Sequence, residues 1–158
     1  MKKIIYWLLF IVFAYFGVFI YRRIQALKRL QVTVDYPREI RANQGFITWK
    51  QPFIINNVDL VSIKADYANV DAIINNRFVG KCSLKNPQTI EAGGISRIEL
   101  FVTTTLTEVL RAIAGSVYDL LKKKSLRIDF AGVIGSYGFT APIKDGITVN
   151  PSQIFNIF

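Results

Sequence analysis

Histidine is absent from the 158 residues, cysteine and methionine each occur once, and acids number 11 against 20 bases. The missing histidine removes the usual general base, the commonest metal ligand and every Ser-His arrangement. A lone Cys82 allows no intrachain disulfide, no CxxC redox pair and no cysteine-built zinc site, so the chain must fold on its hydrophobic core alone. Cys82 stands in the apolar run FVGKCSL and reads as a packing residue rather than a reactive thiol. Asp66 and Asp71 flank one strand boundary, and Glu99 and Glu108 flank a helix entry, without the pairing that acid–base catalysis needs. No D-x-D-x-D run offers a calcium loop. Gly132, Gly135 and Gly138 are spaced by three without a G-x-G-x-x-G pattern, and are expected in turns. The sequence thus predicts no enzyme, no cofactor and no metal.

Against these absences stands one long apolar run. Residues 4–21 (IIYWLLFIVFAYFGVFIY) carry no charge, and 18 residues of helix rise roughly 27 Å, close to the hydrocarbon thickness of a bilayer. Lys2 and Lys3 precede the run, and Arg22, Arg23, Lys28 and Arg29 follow it. Tyr6 and Trp7 stand near one end and Tyr21 at the other, where amphipathic rings favour the headgroup layer. The run is long for a signal-peptide core, and arginines rather than an A-x-A-like site come after it. The expectation is an uncleaved single-pass anchor over residues 1–29, with these nine residues at the two membrane interfaces. The bases on either side balance closely, so the side of the membrane holding the remainder stays open. Six of the 20 bases lie in residues 2–29, which hold no acid, leaving 14 against 11 elsewhere. The net charge of +9 is thus mostly juxtamembrane, suited to anionic lipid. Nothing in the chain resembles a nucleic-acid-binding motif, and no specific nucleic-acid recognition is expected.

Residues 30–150 read as short strands with one helix. Residues 31–36 (QVTVDY) alternate and stop at Pro37. Residues 46–56 are apolar around Pro52, whose missing donor suggests an edge or a bulge. Residues 58–66 alternate with one phase slip, and residues 68–74 and 78–84 flank Asn75-Asn76, a pair suited to a tight hairpin. Gly93-Gly94 marks the next turn. Residues 97–105 place Ile98, Leu100 and Val102 on one face, and Arg97, Glu99 and Thr103 on the other. The period then changes: Leu106, Val109, Leu110, Ile113, Val117, Leu120 and Leu121 form a helical stripe, expected to pack on the sandwich. Thr105-x-x-Glu108 fits a capping box at its start, and Lys122–Lys124 suit its C-terminal end. Strands resume at residues 126–134, 137–141 and 143–149. Many short strands with turn signals between them predict a mainly β sandwich.

Several of these segments together resemble the type 2 late embryogenesis abundant domain, also called the water-stress and hypersensitive-response domain. PFIINNVDLVSIKADYANV, the hairpin IINNRFVGKC, the strand TIEAGGISRIELFV, the helix ending in LLKKK, and RIDFAGVI followed by FTAPI are similar to its segments over about residues 44–149. Asn56-Asn57 departs from the Asn-Pro usual in that family. The resemblance implies an immunoglobulin- or fibronectin-like sandwich with one inserted helix, and a protective, adhesive or ligand-sequestering role without catalysis.

Residues 151–158 form a short tail. Pro151 ends the last strand, and Ile154, Phe155, Ile157 and Phe158 crowd a chain end where polar residues are usual. They are expected to dock into a neighbouring subunit, the alternatives being their own sandwich or the bilayer. The expected partners are therefore the lipid bilayer and other protein subunits. The expected role is structural or binding, in a membrane-associated assembly or an envelope stress response. A membrane-containing virion and a lipid or apolar-ligand module are the alternatives. An anchor of this kind has a direct test. After an alkaline carbonate wash the chain stays with the membrane pellet, and the intact mass of the mature protein includes residues 4–21. A mature chain that begins beyond residue 20 contradicts a retained anchor.

Overall fold

The computed structural model describes residues 2–114 and 125–149, with side chains from residue 6 onward. Helix α1 runs over Lys2–Lys28. It continues past the apolar run because residues 22–28 contain neither glycine nor proline. Lys28 sits in its last turn, where a cation opposes the helix dipole. Ala26 and Leu27 are buried in the core of the following domain.

That domain is mainly β. The strands are β1 Gln31–Val34, β2 Arg38–Asn43, β3 Phe46–Asn57, β4 Ile63–Ala65, β5 Tyr67–Ile74, β6 Arg77–Ser83, β7 Gln88–Ile90, β8 Gly94–Thr105, β9 Leu126–Ser136 and β10 Phe139–Val149, with helix α2 Leu106–Ala114 after β8. Eight strands form one antiparallel sheet in the order β1-β3-β8-β6-β5-β9-β10, with β2 also on β3, and β4 pairs with β7 in a second small sheet. Only residues 81–83 and 101–103 join β6 to β8. The larger sheet folds over at this narrow join into a barrel-like sandwich. Phe53 of β3 and Phe130 of β9 meet edge to face across the core, ring centroids 5.5 Å apart. The two layers also meet at the far seam, where the Val34 N–H donates to the Asp145 carboxylate at 2.9 Å.

The expected alternation holds along β8, whose Ile98, Leu100 and Val102 are all buried. The Asn75-Asn76 hairpin also forms, both residues with positive φ. The capping box forms as well. The Thr105 N–H donates to the Glu108 carboxylate at 3.1 Å, and the Glu108 N–H donates to Thr105 Oγ1 at 3.2 Å. The Thr105 N–H first, then the Thr105 hydroxyl, which also donates to the carboxylate, hold the Glu108 carboxyl below its usual range.

Pro52 departs from its expected place at an edge or bulge, since β3 is paired on both sides. Its position works because β1 has ended and β2 has not begun opposite it. The Pro52 carbonyl accepts the Asp35 N–H at 3.0 Å. In an extended strand the N and O of one residue point the same way, so the donor that proline lacks would have faced the Asp35 carbonyl. The fully buried Gln51 supplies it instead, donating its side-chain amide to that carbonyl at 2.6 Å.

Four further expectations are corrected. Residues 58–62 are not strand, and Val58 and Leu60 are exposed; β3 ends at Asn57, whose side-chain amide donates to the Val61 carbonyl and shapes a loop. Residues 137–141 and 143–149 belong to one strand, β10, paired without a break to β9. Gly132 and Gly135 lie not in turns but within β9, where side chains would run into the Asn69–Val70 backbone and the Tyr67 ring; the turn itself uses Tyr137 and Gly138, both with positive φ. The helical stripe is also rotated. Arg77 and Asn75 bind the α2 carbonyls of Arg111 and Ala112, which sets Val109, Ala112 and Ile113 against the core and leaves Leu106 and Leu110 exposed. Val117, Leu120, Leu121 and Lys122–Lys124 lie outside the described residues.

Two substitutions measure this arrangement. Phe53→Ala removes a ring from the centre of the core and is expected to cost about 3–5 kcal/mol in denaturant unfolding. Leu110→Ala is expected to change stability by less than about 0.5 kcal/mol, as on a surface. A loss at Leu110 comparable to that at Phe53 contradicts the rotated helix.

Candidate membrane interface

The strands run so that one end of the domain receives α1. Only Arg29 and Leu30 separate α1 from β1. Gln31 pairs with Asn56 and Asn57 with Gly94, which brings the β3–β4 loop and the turn before β8 to the same end. The Arg29 guanidinium lies 3.8 Å from the Asp59 carboxylate, and the Gly93 N–H donates to the Asp59 carbonyl at 2.7 Å. Tyr67 pairs with Gly135, and the Tyr137 N–H donates to the Asp66 carboxylate at 3.0 Å, so the β9–β10 turn stands at this end too. Helix α2 and the Asn75-Asn76 hairpin occupy the opposite end.

The end facing the anchor is unusually apolar for a surface. Leu60 is 89% exposed and Ile95 73%, and Val58, Tyr67, Tyr137 and Phe139 are exposed beside them. Isolated apolar side chains are ordinary on surfaces, but a group gathered on one face marks a contact.

Of the residues expected at the membrane interfaces, Lys2 and Lys3 stand in the first turn of α1, their side chains outside the described set. Tyr6, Trp7 and Tyr21 project freely from the helix, and Arg22, Lys28 and Arg29 are exposed. Arg23 differs from them. Its guanidinium carbon lies 4.4 Å from the Phe19 ring centroid and 4.5 Å from that of Tyr137. Its Nε is buried with no hydrogen-bond partner, a state that costs about 1–3 kcal/mol. Arg23 lines a cleft of about 290 Å³ between α1 and the β9–β10 turn, with Phe16, Phe19, Ile20, Leu27, Ser136, Tyr137 and Phe139. The sequence marked Arg23 but not Tyr137 or Phe139, which lie more than a hundred residues away and carry no local signal. Leu60 escaped notice because alternation placed it in a strand. The tail residues Ile154, Phe155, Ile157 and Phe158 lie outside the described residues.

One helix among the described residues, α1, is long and apolar enough to cross a membrane, and its apolar window is not buried. Among the described residues no group of three or more His, Cys, Asp or Glu side chains gathers to hold a metal. Cys82 is buried, and burial first, with the Asp71 charge second, pushes its thiol up to about 12.

No protein-family model matches the chain, and no curated protein matches it either. Solved structures do match. A solution structure of an Arabidopsis thaliana protein aligns with a TM-score of 0.57 at 13% identity, over 78% of this chain and 82% of that one. A crystal structure of a protein from Archaeoglobus fulgidus aligns with a TM-score of 0.50 at 9% identity, over 76% and 91%. A solution structure provisionally assigned as a late embryogenesis abundant protein gives 0.46 at 12% identity, over 85% and 79%. At these identities the first two likenesses show a shared fold alone, and the third adds no argument.

The buried thiol carries a direct test of its burial. In the folded protein Cys82 is expected to resist a disulfide reagent in mildly alkaline buffer, and to react once per chain after unfolding. Because its folded value lies above the unfolded one of about 8.5, its contribution to stability is full below that pH and falls as pH rises towards about 12. Rapid labelling of the native protein contradicts this.

Proposed function

We propose that the protein is a noncatalytic, single-pass membrane protein whose β-sandwich rests on the bilayer surface and serves a structural or binding role there. The observation that carries this reading is the exposed apolar group Val58, Leu60, Ile95, Tyr137 and Phe139 at the end of the domain that α1 enters. A domain tethered through two residues has little freedom to lift away, and apolar side chains on that face gain by entering the interfacial layer. The basic residues Arg22, Lys28 and Arg29 at the same level favour anionic headgroups. The absence of histidine supports a noncatalytic role. Other protein subunits remain the proposed partners, through the apolar tail residues Ile154, Phe155, Ile157 and Phe158.

Depth-dependent quenching tests the resting domain. Leu60→Cys and Ile95→Cys, labelled with an environment-sensitive dye in the full chain in vesicles, are expected to be quenched by a lipid-borne quencher placed near the headgroups. Phe78→Cys at the opposite end is expected to be spared, and the buried Cys82 to stay unlabelled. Equal quenching at all three positions overturns the reading.

A further inference from the structure

The cleft between α1 and the β9–β10 turn spans two depths. Phe16, Phe19 and Ile20 belong to the apolar run, and Arg23 lies one turn beyond Ile20. From Phe16 to Arg23 the helix rises about 10 Å, from acyl-chain depth to headgroup depth. The walls are apolar apart from Arg23, Ser136 and the Tyr137 hydroxyl. The buried Arg23 Nε has no hydrogen-bond acceptor, and among the described residues no carboxylate pairs with Arg23. Of the acids near this end, Asp59 pairs with Arg29 and Asp66 accepts the Tyr137 N–H. An arginine held against two rings, without an anion, at the rim of an apolar slot, matches the planar fork that binds phosphate.

We propose that this cleft holds one anionic phospholipid from the surrounding leaflet, its phosphate on the Arg23 guanidinium and the start of one acyl chain along Phe16, Phe19 and Phe139. The inference rests on the domain sitting at the bilayer surface, since only then does the cleft open into lipid. A volume of about 290 Å³ lies at the small end of ligand pockets, enough for a phosphate and the first part of a chain while the remainder stays in the leaflet. Charge selects the headgroup. Arg22, Lys28 and Arg29 share the segment with Arg23, so a lipid of net negative charge is favoured over a zwitterionic one.

The test uses the full chain extracted in mild detergent from vesicles of equal phosphatidylcholine and phosphatidylglycerol, with retained lipids counted by native mass spectrometry. One phosphatidylglycerol per chain is expected in the wild type. Arg23→Gln is expected to lower its retention roughly tenfold, the scale of one charge-assisted contact, and Arg111→Gln, at an exposed position on α2 at the opposite end of the domain, to leave it unchanged. Equal retention of the two lipids by the wild type, or full retention by Arg23→Gln, overturns the site. The wild-type comparison needs no variant, so poor folding of Arg23→Gln does not protect the proposal. Dye quenching at Leu60→Cys is read in the same vesicles. Quenching there without retained phosphatidylglycerol overturns the lipid site and leaves the resting domain standing; no quenching overturns both.

Discussion

Two residues, Arg29 and Leu30, are all that lie between the helix and the first strand, and the rest of the molecule follows from that shortness. Fully extended they span about 7 Å. The helix does not stop where its apolar run stops; it carries Ala26 and Leu27 into the core of the domain before the chain turns into β1. The anchor is thus built into the sandwich rather than tied to it. Which end of the sandwich receives α1 is settled by strand direction, because β1 starts at that end and antiparallel pairing fixes its neighbours.

The legible parts of the fold were the local ones. The Asn75-Asn76 hairpin, the Thr105–Glu108 capping box and the alternation of β8 each depend on residues a few positions apart, so spacing shows them. β2 escaped because REIRAN is exposed almost throughout and lies against β3 alone, leaving no buried face to write a pattern. β7 has only three residues. The loop at residues 58–62 passed for a strand because its apolar residues Val58 and Leu60 are exposed at the end that α1 enters rather than buried in the core. Apolar alternation reports contact with something other than water, and cannot say whether that is protein or lipid. The same limit applied to α2, where the spacing admits two neighbouring faces and the bonds from Asn75 and Arg77 select one.

The site was half legible. Basic residues and interfacial rings after an apolar run announce a membrane boundary by composition. What makes Arg23 unlike Arg22 is its neighbours Tyr137 and Phe139, delivered by a turn at the other end of the sequence. No spacing rule spans that distance. The structural likenesses do not help either, since at 13% and 9% identity they show the fold alone.

The exchange of roles at residues 51 and 52 has a consequence for descent. Pro52 lacks a donor, and the buried Gln51 amide stands in for it on the Asp35 carbonyl. In a relative carrying any other residue at position 52, the backbone itself meets that carbonyl, and the amide nitrogen at position 51 loses its acceptor there, its oxygen still taking the Trp49 indole N–H. The reverse ancestor, with proline but no glutamine, leaves a carbonyl stranded. Neither intermediate is comfortable, so the two positions are expected to change hands together along a lineage, as a correlated pair detectable among distant relatives even where the rest of the strand has drifted.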